Sequence, residues 1–342
     1  MLQFAANLSL LWADQPLPER FARAAAAGFR AVELWWPGAD DAARLPALTQ
    51  RWGLDLALLN FDAGDMAAGD RGLAADPARA GQLRANVPLA LRIAADCGGR
   101  RLNLLVGVRD TRYPLVQQLG LARDTVAWAA DLAAAQGAEV MIEALNTMEN
   151  GPCLLTTTEA AAGFIAGTGR ANVRLQYDAY HMQRMEGDLT ATVDAYWDLI
   201  GHIQIADVPG RGEPGTGEIN YRFFLGHLGA RGYRGHVGLE YRPATGRPED
   251  SFGWLADFGW PRRLLVALPQ PVQSRLGDLA PAVVDGQGVP PVGEFPQVGD
   301  RGGAVVEPAG LHADLRRDGV VPAARRDQQR PPGLVAGIDL RR

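Results

Sequence analysis

Short apolar runs rich in β-branched residues recur along positions 1–241, separated by Ala- and Leu-rich stretches with helical spacing. That alternation predicts parallel strands joined by helices. Eight strands are predicted, at residues 4–8, 31–35, 54–60, 101–106, 139–145, 173–178, 202–206 and 236–241. Several of the intervening helical stretches run into a glycine just before the next strand, at Gly28, Gly98 and Gly137, where a left-handed residue closes a helix well. Eight such units in about 250 residues predict a TIM (β/α)8 barrel rather than a doubly wound sheet. No GxGxxG fingerprint follows the first strand. The predicted barrel covers residues 1–260.

Residues 261–342 break the pattern, with 11 Pro, 11 Gly and a single aromatic, Phe295, in 82 positions. Such a segment buries too little apolar surface to offset its ordering entropy. It is expected to be a low-order, disordered tail, or the product of a GC-rich gene read in a shifted frame beyond about Trp260.

Parity within the strands singles out polar residues. Side chains alternate faces along a strand, so the aliphatic positions that face the helices define the outside, and their neighbours face the lumen. Val140 and Ile142 send Glu143 inward; Val173 and Leu175 do the same for Gln176 and Asp178. Ile203 and Ile205 leave His202 and Gln204 inside, and Val237 and Leu239 leave Glu240. Glu33 stands between Val32 and Leu34. Glu143, Asp178, Gln204 and Glu240 fall near the C-terminal ends of four consecutive strands, where barrel enzymes carry their chemistry. Three ionised carboxylates in one lumen repel each other unless their pKa values rise or a cation joins them. Oxygen donors without cysteine point to Mg²⁺ or Mn²⁺. His181, three residues after Asp178, is expected either to support a metal ligand from behind or to donate a hydrogen bond to substrate.

Two Gly-rich loops flank the predicted mouth. The loop after strand 7 carries Arg211, Glu213 and Glu218; an arginine beside an oxygen-rich site suits a substrate carboxylate, so Arg211 and Glu213 are expected at the substrate. The loop at 62–72 is expected to form a lid.

Composition narrows the chemistry. The 342 residues have a net charge of −5 and contain no lysine, which excludes Schiff-base catalysis and a Walker P-loop. Residues 1–260 hold 23 Arg against 30 Asp plus Glu, an acidic balance that argues against nucleic acid as a partner. Cys97 and Cys153 form no disulfide framework or CxxC spacing and are expected to be small buried hydrophobes. No leader-like start and no membrane-spanning apolar run is present, so no membrane partner is expected and a cytoplasmic location is. A homo-oligomer is compatible with the sequence but not specified by it.

Phe4-Ala-Ala-Asn-Leu-Ser, Gly28-Phe-Arg-Ala-Val-Glu, Ala63-Gly-Asp-Met-Ala-Ala-Gly-Asp-Arg-Gly, the string from Gln176 to Gly187, Gly201-His-Ile-Gln-Ile-Ala-Asp and Glu213-Pro-Gly-Thr-Gly-Glu-Ile-Asn-Tyr resemble the hydroxypyruvate isomerase family of xylose-isomerase-like TIM barrels. The resemblance spans about residues 1–260. It implies an aldose–ketose type isomerase that interconverts hydroxypyruvate and tartronate semialdehyde through an enediolate. By the same resemblance, Glu143, Asp178, Gln204 and Glu240 hold the metal, and Glu143 and Glu240 form the acid/base pair. A 2-oxo-tetronate isomerase or a ketose 3-epimerase would use the same carboxylates. A barrel endonuclease for abasic DNA fits poorly with five histidines, and a non-catalytic small-molecule-binding barrel is the alternative of a different class.

Overall fold

A computed structural model describes residues 1–260. Eight parallel strands close a barrel in chain order: β1 (Gln3–Asn7), β2 (Ala31–Leu34), β3 (Asp55–Asn60), β4 (Arg101–Asn103), β5 (Glu139–Glu143), β6 (Val173–Asp178), β7 (Ile200–Ile205) and β8 (His236–Leu239). Closure is made where β1 pairs with β8, Gln3 opposite His236 and Ala6 opposite Leu239. The predicted eight-stranded barrel is thus the observed fold, with β4 ending three residues early. Leu104 still donates to Met141 O at 2.9 Å; the chain then leaves the sheet. The predicted low-order or shifted-frame segment, 261–342, lies outside the described residues.

Strand parity accounts for both layers. Val32, Leu34, Val140, Ile142, Val173, Leu175, Ile203, Ile205, Val237 and Leu239 all belong to one apolar core between sheet and helices. Each such aliphatic chain contributes about 1.5–3 kcal/mol by leaving water. Helices including Leu17–Ala26, Ala80–Asp96 and Leu115–Ala134 cover this face. Phe21, Val87, Val126 and Ala129 are among their buried residues.

The lumen is different. Ala5, Ala31 and Ala57 form a separate small cluster, and these short side chains leave room for a polar layer. That layer comprises Asn7, Glu33, Asn103, Gln176, His202 and Gln204, all buried. A Cβ at Gly238 would lie 2.2 Å from Glu33 Oε2, so only glycine lets β8 pass that carboxylate. Cys97 and Cys153 are free and half-buried, which corrects the expectation of full burial: each sits where a helix end or loop leaves the core rather than within it. No helix among the described residues is long and apolar enough to cross a membrane.

Candidate active site

Glu143 ends β5 and Asp178 ends β6, while Glu240 follows β8 directly. Parallel strands in register bring these ends to one rim. One oxygen each of Glu143, Asp178 and Glu240, with a ring nitrogen of His181, lies within 4.8 Å of the others, and all four residues are buried. Three of the four predicted ligands are therefore brought together, with His181 beside them.

The two oxygens of Asp178 do different things. Oδ1 accepts from Tyr180 N at 2.8 Å and so caps the helix Ala179–Met185, using a donor that the first turn leaves unpaired. Oδ2 is buried and has no hydrogen-bond partner among the described residues. Glu143 is similarly divided. Its Oε2 accepts from Asn103 Nδ2 at 2.8 Å and Gln176 Nε2 at 3.0 Å, while Oε1 faces His181 Nε2 at 3.7 Å. Glu240 takes Trp35 Nε1 (2.7 Å) and Asn7 Nδ2 (3.2 Å) on Oε1, and Arg211 Nη2 (2.5 Å) on Oε2.

Gln204 stands opposite Asp178 in the β6–β7 register. Its Nε2 donates to Glu33 Oε1 at 2.7 Å, an acceptor that fixes the orientation of the amide. The carbonyl oxygen therefore points the other way, where it accepts from Gln176 Nε2 at 2.6 Å. Gln204 thus reaches Glu143 through Gln176. Glu33 also takes His202 Nε2 at 2.7 Å and Asn7 Nδ2 at 3.0 Å, which makes it the hub of the buried polar layer.

The protonation states follow from this packing. Burial, and then the charges of Glu240 and Asp178, push the Glu143 carboxyl well above its usual range. Burial followed by Glu240 brings Asp178 up to about 7. Burial also raises Glu240, with Arg211 pulling the other way. His181 is pushed well below its ordinary value by burial and by Arg211, Arg184 and Arg71, so the ring is neutral.

The tautomer of that ring is set by Asn146. Its Oδ1 accepts from Glu149 N at 3.0 Å, capping the helix Thr147–Asn150. The amide nitrogen then faces His181 Nδ1 at 2.7 Å, and Nδ1 can only accept. The ring proton sits on Nε2, 3.5 Å from Asp178 Oδ2. His181 is a donor into the site and, in this tautomer, has no lone pair there for a cation.

Glu143 and Glu240 open onto a cavity of about 550 Å³ whose wall includes Trp35, Asn60, Arg71, His181, Arg211 and Arg242. Of the three residues expected at substrate, His181 and Arg211 line this cavity. Glu213 does not; its Oε2 accepts from Ala244 N at 2.9 Å and holds the loop after β8. Arg211, in a left-handed backbone conformation with φ 55°, also stacks over Tyr180 at 5.3 Å. The loop at 62–72, expected as a lid, borders the cavity through Met66, Ala67 and Arg71. Asn7, Trp35, Asn103 and Arg71 were not singled out from the sequence. Parity applied to β1 and β4 would have found Asn7, opposite Phe4 and Ala6, and Asn103, opposite Leu102.

A set of carboxylate oxygens, one of them buried and without a hydrogen bond, suits a hard divalent cation. Asp178 Oδ2, with His181 Nε2 at 3.5 Å and Arg211 Nη2 at 4.0 Å, is costly in its ionised form without a closer cation.

Comparison with known proteins gives consistent matches. The family model described as "Xylose isomerase-like TIM barrel" matches residues 21–258. Hydroxypyruvate isomerase of Escherichia coli K12 is 40% identical over 255 residues, covering 75% of this chain and 98% of the relative. The 2-oxo-tetronate isomerase of Cupriavidus necator is 39% identical over 258 residues, 75% of this chain and 99% of the relative. Among solved structures, a Brucella melitensis protein described as AP endonuclease, family 2, superposes with TM-score 0.72 at 37% identity, covering 75% of this chain and 99% of that one.

Proposed function

Because the chain belongs to the xylose isomerase-like TIM barrel family and is an isomerase akin to the hydroxypyruvate isomerases, we propose that it interconverts hydroxypyruvate and tartronate semialdehyde with the help of one Mg²⁺ or Mn²⁺. The observation that carries this reading is the cluster of buried Glu143, Asp178 and Glu240, one oxygen of each within 4.8 Å of the others, in which Asp178 Oδ2 accepts no hydrogen bond and Glu143 and Glu240 line a cavity. Glu143, Asp178, Glu240 and the Gln204 carbonyl would hold the cation. When bound, it supplies positive charge where negative charge develops on the substrate oxygens.

The remaining chemistry belongs to the side chains. Arg211 favours the ionised form of Glu240, which suits Glu240 to take the proton from the carbon bearing the hydroxyl. Burial and the neighbouring carboxylates raise the Glu143 carboxyl, so with one oxygen toward the cation its other oxygen would carry the proton delivered to the former carbonyl carbon. The hydroxyl proton passes to the neighbouring oxygen, so substrate and product are isomers, and in the reverse direction the two glutamates exchange roles. His181 Nε2–H donates to a substrate oxygen as charge grows on it. Arg211 acts at Glu240, and Glu213 by holding the adjoining loop.

The test is turnover of hydroxypyruvate by the full chain. Chelator is expected to remove activity and Mg²⁺ or Mn²⁺ to restore it; Glu143→Gln and Glu240→Gln should each lose at least about 100-fold in kcat. Near-normal kcat in either variant sinks the assignment. A second reading, isomerisation of 2-oxo-tetronates, is favoured by the nearly equal identity to a relative of that name. It is separated by measuring kcat/KM on both acids, with ketohexoses and abasic DNA alongside.

A further inference from the structure

We propose that Arg71 is the residue that recognises the substrate's carboxylate and so makes the site selective for hydroxy-oxo acids over neutral ketoses. This deepens the reading above and rests on its assignment of an acidic substrate.

The cavity wall carries three arginines, Arg71, Arg211 and Arg242. Arg211 is committed, bonded to Glu240 at 2.5 Å with Asp178 at 4.0 Å. Arg242 is exposed, and no hydrogen bond orients its guanidinium among the described residues. Arg71 is oriented without being neutralised. Its Nε donates to Asn150 Oδ1 at 2.6 Å, and its Nη1 to the carbonyls of Met66 (2.9 Å) and Asp70 (2.6 Å). All three acceptors are uncharged, no acid pairs with Arg71 among the described residues, and Nη2 lies outside this set of bonds.

Its support is built in. Asn150 Nδ2 donates in turn to Asn146 O at 3.1 Å, so the short helix Thr147–Asn150 that sets His181 also sets Arg71. Behind it, Gly72 has φ 109°, and a Cβ there would lie 1.8 Å from Leu105 O. Only glycine lets the loop lie this close to the end of β4. Asp70 steadies the loop by accepting from Asp65 N at 2.7 Å and pairing with Arg79. Ala63, Leu105, Leu145 and Met66 form an apolar patch at the same place, where a charge-assisted bond is screened less than in bulk water. A rigid guanidinium with an unmatched charge facing a cavity is suited to a carboxylate.

The test compares two substrates that differ only at that group: hydroxypyruvate and dihydroxyacetone, in which a hydroxymethyl replaces the carboxylate. The wild-type chain should favour hydroxypyruvate in kcat/KM. Arg71→Met should raise the KM for hydroxypyruvate about 10- to 100-fold, leave dihydroxyacetone within about twofold, and weaken calorimetric binding of tartronate by a similar factor. Arg71→Lys, which keeps the charge but loses the fork, should fall between. Equal losses on both substrates, an unchanged KM for hydroxypyruvate, or a preference that collapses in Arg242→Met instead overturns the proposal. If the wild type turns over neither compound, the reaction proposed above fails, and tartronate binding alone decides the role of Arg71.

Discussion

Asp178 illustrates how a single residue can serve folding and chemistry against each other. One oxygen caps a helix and stabilises it; the other is buried without a hydrogen bond and destabilises the fold when ionised. Its carboxyl is raised to about 7, against about 3.9 in an unfolded chain. Between those values the native state holds a proton that the unfolded state has released, so unfolding free energy falls as pH rises through this window. In chelator, the melting temperature should therefore drop between pH 5.5 and 8, and Mg²⁺ or Mn²⁺ should recover most of the loss at pH 8. Asp178→Asn keeps the capping oxygen and removes the charge. It should melt higher than the wild type in chelator at pH 8, show no response to either cation, and have no activity. A cation response that survives in this variant would move the binding position elsewhere.

At the scale of elements, the four-residue helix Thr147–Asn150 does more than its length suggests. Asn146 caps it with one amide atom and fixes the His181 tautomer with the other, while Asn150 at its end orients Arg71. Asn146→Asp keeps an acceptor for Glu149 N but replaces the donor facing Nδ1 with an acceptor, which favours a proton on Nδ1. That variant should melt within a few degrees of the wild type and lose about 10-fold or more in kcat. Asn146→Ala should also lose about 1 kcal/mol of stability with the cap. Equal kcat in Asn146→Asp and the wild type would remove the tautomer from the mechanism. The parity that exposed Glu143, Asp178 and Gln204 in the sequence works because each lies on a regular strand flanked by aliphatics. Arg71 lies in a loop, where no period fixes direction, so only its bonds to Met66, Asp70 and Asn150 reveal where it points. Glu213 failed for the same reason: its loop carries charge, but the turn sends that carboxylate to Ala244.

For the whole molecule, residues 1–260 contain every described strand and the whole site, and the curated relatives align over 98–99% of their own length to about 75% of this chain. A chain ending at residue 260 should match the full chain in melting temperature and in kcat/KM within about twofold; a large loss would give residues 261–342 a part in the fold. The barrel itself was determined by local pattern: eight apolar runs at helix-spaced intervals admit few other closures, and alternation within each run decides which side chains face inward. The sequence by itself also determined the absence of lysine chemistry and the carboxylate character of the site. That Asp178 Oδ2 is the carboxylate oxygen left without a hydrogen bond, which arginine is free and which ring nitrogen carries a proton were decided only by the tertiary structure. Those properties depend on ångström-scale contacts between residues as far apart as Asn7 and Glu240, which no local period encodes.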